Sequence, residues 1–331
     1  MNITVKQIEF KSSNGQSQIF GWIYQPERAK AAVQIVHGMS EHMGRYHDFM
    51  RYLAQNGYVA CGIDQLGHGR SSEGGHKGFF AEQDGWKRLL DDQARFRKIV
   101  SSELPELRCF LMGHSMGSFI ARLYAARYPK SLAGLILMGT ARAGLRTEMA
   151  MRMAASSAKK NGPYYVERRF EKYLYGTFNE RFSPKMTNFD WLSRDVQAVQ
   201  QYLEDPACGF LFTASGLRDL FSLLNSCNQP KCFAGPEKSM PLLLISGDQD
   251  PVGEFGVGVT RVYDRYLKAG LQDVELVLYD GARHELLHET NRQQVYQDLL
   301  NWLDAHDDVV AQPLPPEEPE EEEGFFESDC L

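Results

Sequence analysis

Nowhere in this 331-residue chain does an apolar run approach the roughly 20 residues that a helix needs to cross a bilayer. The first residues, Met1-Asn2-Ile3-Thr4-Val5-Lys6, lack the charged-then-apolar order of a secretory leader. Cysteine is sparse, with six in all and no Cys-x-x-Cys pair, and Cys61 and Cys109 fall inside apolar strand-like runs. That spacing excludes a zinc ribbon or a disulfide framework and points to reduced thiols in a cytoplasmic protein. Basic charge is not in excess. The segment Pro313–Leu331 holds eight acids and no base; setting those aside from 43 leaves 35 acids against 36 bases. A nearly neutral body offers nucleic acid no surface. Gly67-His68-Gly69 has no Lys-Ser or Lys-Thr after it, so it is a tight turn and no P-loop. No internal repeat is present.

What the chain does have is alternation. Ile3–Phe10 and Ser17–Tyr24 read as an antiparallel pair around Ser13-Asn14-Gly15. Short apolar strands then follow at Ala32–Val36, Tyr58–Ile63, Cys109–Met112 and Leu132–Met138, separated by helical stretches at Tyr46–Gln55 and Trp86–Leu104. The pattern stops at Gly139 and resumes with Leu242–Ser246, a helix over Gly256–Ala269, the strand Val274–Tyr279 and a last helix over Arg292–His306. Strand alternating with helix predicts a mostly parallel sheet covered on both faces, an α/β fold. The division is a discontinuous core, 1–140 and 240–306, with a helical insertion over 141–239 and an acidic, disordered tail over 307–331. Helices are expected in the insertion at Met149–Ser157, Tyr164–Tyr175 and Trp191–Leu203.

In open parallel sheets, functional groups gather at the carboxyl ends of strands. After Val36 comes His37-Gly38-Met39-Ser40-Glu41-His42. After Met112 comes Gly113-His114-Ser115-Met116-Gly117, a serine between two glycines where a strand turns directly into a helix. That layout is a nucleophile elbow, weak as a pentapeptide and strong in this context. Ile245 leads into Ser246-Gly247-Asp248-Gln249-Asp250-Pro251, and Tyr279 into Asp280-Gly281-Ala282-Arg283-His284. Serine, acid and histidine in that order, each at a strand end, form the triad order of α/β-hydrolases. A serine hydroxyl needs a base to become a nucleophile. His284 fits that role, while His288 and His306 lie on helical positions and read as structural. The acid is Asp250 in preference to Asp248, because Pro251 would hold the loop rigid beyond it. The amide of Met116 is one donor for an oxyanion hole, with a family-style partner at Met39 in the loop after Val36, and His37 reads as a loop organiser.

Together, His37–His42, Asp64–Ser71, Gly113–Gly117, Asp250–Gly253 and Arg283–Glu285 resemble the monoacylglycerol lipase and lysophospholipase branch of the α/β-hydrolases, which includes serine aminopeptidase-like members. The stretches Trp191–Asp195 and Tyr202–Pro206 are similar to bacterial representatives. The resemblance covers residues 15–306. It implies Ser115, Asp250 and His284 as the triad, Met39 and Met116 as oxyanion donors, a mobile cap over an acyl-chain pocket, and no cofactor or metal. One departure is Arg70-Ser71-Ser72-Glu73 after Gly69, where the branch has an Arg-Gly pair, so no role of that pair carries over.

The expected activity is cleavage of a monoacylglycerol or lysophospholipid ester through an acyl-enzyme. A small-ester carboxylesterase, a thioesterase, a peptidase or an acyltransferase would use the same triad, and a catalytically silent binding protein is the alternative outside catalysis. Apolar residues of the insertion (Met149, Met151, Met153, Tyr164, Tyr165, Phe178, Phe182, Phe210 and Phe212) are candidates for the acyl tunnel or for the insertion's own core. Transient contact with a membrane surface through the cap fits the chemistry, although no stretch pairs a basic face with a strong apolar one.

Overall fold

The computed structural model describes residues 2–166, 168–170 and 176–308. Eight strands form one sheet: β1 (Ile3–Lys11), β2 (Gln18–Pro26), β3 (Ala31–Val36), β4 (Tyr58–Ile63), β5 (Cys109–His114), β6 (Gly134–Met138), β7 (Leu242–Gly247) and β8 (Val274–Tyr279). Their order is β1-β2-β4-β3-β5-β6-β7-β8. β2 runs antiparallel to both β1 and β4, and every pair from β4 to β8 is parallel. Period-two alternation divides the buried residues. Ala32, Val36, Cys109, Leu111, Leu242 and Leu244 face one layer, and Val33, Ile35, Phe110, Met112, Leu243 and Ile245 the other. Helices α1 (His47–Gln55) and α9 (Arg292–Ala305) cover the second face; α2 (Gly85–Glu103), α3 (Met116–Arg127) and α8 (Val257–Lys268) cover the first.

Between β6 and β7 the described residues are helical or irregular: α4 (Leu145–Asn161), α5 (Val196–Glu204), α6 (Ala214–Ser226) and α7 (Pro230–Ala234). The helix expected over Trp191–Leu203 is divided. A 3-10 turn covers Asp190–Leu192, and Asp195 then starts α5 by accepting from the Gln197 and Ala198 amides. Leu217, Leu220, Phe221 and Leu223 of α6 and Phe233 of α7 belong to the same apolar layer as α2 and α3. Phe182, Trp191, Leu192, Tyr202 and Cys208 form a separate small cluster. The expected helix over Tyr164–Tyr175 lies partly outside the described residues, as does most of the acidic tail.

β3 is the switch point of the sheet, paired with β4 on one side and β5 on the other. Loops leaving β3 and β5 at their carboxyl ends therefore diverge to opposite faces and open a crevice between them. Register keeps the strand ends level, with Val36 beside Gly113, His114 beside Met138 and Gly247 beside Tyr279.

Candidate active site

Ser115 stands alone between β5 and α3 with φ 53° and ψ −121°, in the region that side chains disfavour. A conformation of this kind costs about 1–3 kcal/mol and persists only where its surroundings enforce it. Here the enforcement is packing. A Cβ on Gly117 would lie 2.5 Å from the His37 carbonyl oxygen, and one on Gly113 would lie 2.7 Å from Ser118 Cα. The two glycines let α3 sit directly on β3 and β5, and the Ser115 amide is tied to the Met138 carbonyl at 2.9 Å. Gly117→Ala should lower stability by about 1–3 kcal/mol through overpacking. An unshifted urea midpoint would contradict that account.

At the end of β8, His284 is buried and its Nδ1 lies 2.9 Å from Oδ2 of the fully buried Asp250. Asp250 also accepts from Ser246 Oγ at 3.2 Å and from the Val252 amide at 2.8 Å. Asp248, the other acid considered, instead takes the Gly281 amide at 2.8 Å and holds the turn after β8. His288 bonds to the Arg45 carbonyl and His306 to the Trp302 carbonyl, both away from this pair. His37 accepts the Gln65 N–H at Nε2, so its Nδ1 carries the proton donated to the Gly38 carbonyl at 2.8 Å. Burial lowers its pKa and keeps it neutral.

Ser115 and His284 line one cavity of about 220 Å³, together with Met39 and Met116. Met116 is the first residue of α3, where helix amides have no intrahelical acceptor. Of the nine insertion residues proposed for a tunnel, Phe178 alone lines the cavity. Phe182 and Phe212 are buried elsewhere, and Met149 and Met153 face outward at 64% and 54% exposure. The wall comes instead from Phe119, Trp191, Leu220, Phe221 and Leu224. Sequence reading passed over Leu220, Phe221 and Leu224; their i, i+1, i+4 spacing on one face of α6 was the available signal.

The family described as serine aminopeptidase, S33, matches residues 27–291. The chain belongs to that family. It is a serine ester hydrolase of the α/β-hydrolase fold, similar along most of its length to the monoacylglycerol lipase of Mycolicibacterium smegmatis, at 28% identity over 84% of this chain and 89% of the relative. The human monoglyceride lipase is 27% identical over 87% of this chain and 86% of its own. A thermostable carboxyl esterase from Bacillus coagulans, solved in complex with glycerol, superposes with a TM-score of 0.87 at 29% identity, covering 92% of this chain and all of the other.

Behind the serine of this S33-family hydrolase lies a buried charge network that the sequence did not reveal. Glu41 accepts from the Gly38 amide at 2.6 Å, from Tyr46 Oη at 2.8 Å and from Arg45 Nη1 at 2.9 Å. Arg45 also grips Glu285 with both terminal nitrogens, at 2.5 and 2.6 Å. His114, inside the elbow, turns Nδ1 to Glu41 at 3.1 Å and Nε2 to the His284 carbonyl at 3.4 Å. Both ring nitrogens face acceptors, which suits an imidazolium. Burial opposes that charge, but the Glu41 hydrogen bond and carboxylate raise the His114 pKa overall. Burial likewise works to raise the Glu41 carboxyl, and His114 and Arg45 together hold it well below its usual range. Two carboxylates thus share the Arg45 guanidinium and the His114 ring beneath the pocket.

In the same hydrolase, His42, Asp205 and Cys208 bring ligand atoms within 4.8 Å of one another. His42 Nδ1 already accepts the Gly44 amide, so Nε2 carries the proton given to Asp205 at 2.8 Å. A metal would need that protonated nitrogen, and burial raises the Cys208 thiol pKa. The group is a hydrogen-bonded latch between the loop after β3 and the insertion. Among the described residues, no helix is long and apolar enough to cross a membrane.

Proposed function

We propose that the protein cleaves carboxylic esters of the monoacylglycerol or lysophospholipid type through an acyl-enzyme on Ser115. The observation that carries this is the buried Asp250–His284 hydrogen bond ending at the cavity that Ser115 also lines. In this reading His284 takes the Ser115 proton as Oγ bonds to the ester carbonyl carbon. The Met39 and Met116 amides hold the oxyanion. Collapse of the tetrahedral intermediate breaks the ester C–O bond and hands the proton to the departing alcohol. Water, activated by the same His284, then releases the fatty acid and restores the serine.

The apolar wall and the lipase relatives support a lipid acyl chain. An aminopeptidase needs a free carboxylate for the substrate's amino group, whereas the two carboxylates of the described pocket lining, Glu41 and Glu285, are committed to Arg45. We read 141–239 as the cap over a core of 1–140 and 240–306, with its 214–234 portion built into the core layer. The exposed Leu145, Met149 and Met153, spaced four apart on α4, give that cap a face for transient contact with lipid.

A panel of glycerol monoesters of rising chain length tests the reading. Each methylene buried is worth about 0.8 kcal/mol, so kcat/KM should rise roughly fourfold per methylene until the cavity is full, then level off. A flat series, or faster turnover of an aminoacyl amide than of any ester, would replace the lipid reading with the small-ester or peptidase one.

A further inference from the structure

Resting on the proposed role of the Met39 amide, we infer that Glu41 is a positioning residue that sets the oxyanion hole through its bond to the Gly38 N–H. The Met39 N–H shares a peptide plane with the Gly38 carbonyl, so its direction follows from the two backbone torsions of Gly38. Glycine itself restricts neither torsion. The loop supplies the restraint from outside. His37 holds the Gly38 carbonyl at 2.8 Å, and Glu41 Oε1 holds the Gly38 amide at 2.6 Å. Each end of the residue is thereby pinned, and the next amide has one orientation.

Glycine is also required sterically. A Cβ on Gly38 would stand 2.7 Å from Glu41 Oε1 and 3.1 Å from Ser115 Cβ. Such closeness puts the clamp against the nucleophile itself. The Glu41 carboxylate is in turn held from several sides: Oε1 receives Gly38, Tyr46 and His114, and Oε2 receives Arg45. A carboxylate offers about four lone-pair sites, two on each oxygen, and three of the four donors crowd onto Oε1, the oxygen that holds Gly38. Arg45 extends the clamp to Glu285, the neighbour of His284, so the oxyanion loop and the base loop share one anchor.

Two substitutions separate positioning from charge. Glu41→Asp keeps the charge for Arg45 and His114 but is one methylene too short for Gly38. Glu41→Gln keeps the reach and an acceptor oxygen but loses the charge. Each variant is compared with the parent in active sites titrated by fluorophosphonate, for kcat, KM and affinity for a trifluoromethyl ketone that forms a tetrahedral oxyanion on serine. Displacement of a catalytic group by about 1 Å can cost roughly 10² in rate. The expected result is that Glu41→Asp loses about that factor in both kcat and ketone affinity with KM little changed, and that Glu41→Gln retains more of both. Parent-like kcat and ketone affinity in Glu41→Asp would overturn the inference, whether or not Glu41→Gln folds. So would a change confined to KM, or an order of activity with Asp above Gln. If the parent's Ser115 itself failed to react with fluorophosphonate, the serine mechanism rather than the clamp would be at fault.

Discussion

Ser115→Ala is expected to reduce ester turnover by roughly 10⁴–10⁶, the range seen when a serine-hydrolase nucleophile is removed from an otherwise intact site. The substitution deletes one oxygen and leaves the elbow's supports untouched. The Ser115 amide would still bond to the Met138 carbonyl, and the contacts at Gly113 and Gly117 involve backbone that alanine does not alter. Alanine tolerates the positive φ no worse than serine does, so the thermal midpoint should stay close to the parent's. Labelling by fluorophosphonate should disappear. Residual rate above water would come from the oxyanion donors and from binding alone. Turnover at the parental rate in a folded, unlabelled variant would rule out Ser115 as the nucleophile.

On the proposed mechanism, Asp250→Asn should cost about 10⁴ in kcat, because it inverts the tautomer of His284. The side chain is wholly buried between three donors: the Val252 amide, the Ser246 hydroxyl and His284 Nδ1. The Val252 N–H cannot turn away, so an asparagine keeps its oxygen there and presents its amino group to the histidine. Nδ1 then becomes the acceptor and the proton moves to Nε2, the nitrogen that the proposed mechanism needs free for the Ser115 proton. The Ser246 hydroxyl can rotate to accept and relieves part of the mismatch. Folding should therefore survive while acylation does not. Single-turnover release of nitrophenol measures the acylation step directly, and a rate within tenfold of the parent would show that this acid does not orient the base.

The strands and the groups that follow them were legible because each is a local signal. Buried strands read as short apolar runs, and the groups that follow them reach one edge of a parallel sheet by topology alone. Ser115, Asp250 and His284 could be placed that way with no knowledge of distance. The clamp was not legible, although Glu41, Arg45, Tyr46, His114 and Glu285 were all in view. Arg45 and Glu285 are 240 positions apart, and Glu41 and His114 are 73 apart. Only the folded chain brings the loop after β3 against those after β5 and β8. The pocket wall failed for another reason. Apolar periodicity says that a helix has a buried face without saying what it is buried against, so Met149 and Met153 stood as candidates while Phe221 was passed over. In the fold, α6 packs beside α2 and α3, while that stripe of α4 faces solvent.

The Asp190–Leu192 turn is joined to the His284 segment by the main chain. The His284 amide donates to the Trp191 carbonyl at 3.4 Å and the Glu285 amide to the Leu192 carbonyl at 2.8 Å, and the Trp191 ring lies 5.2 Å from the imidazole. Displacing this edge would break both of the main-chain bonds that join it to the His284 segment. The bonds that seat Trp191 and Leu192 therefore also fix the stretch of backbone from which His284 reaches Asp250.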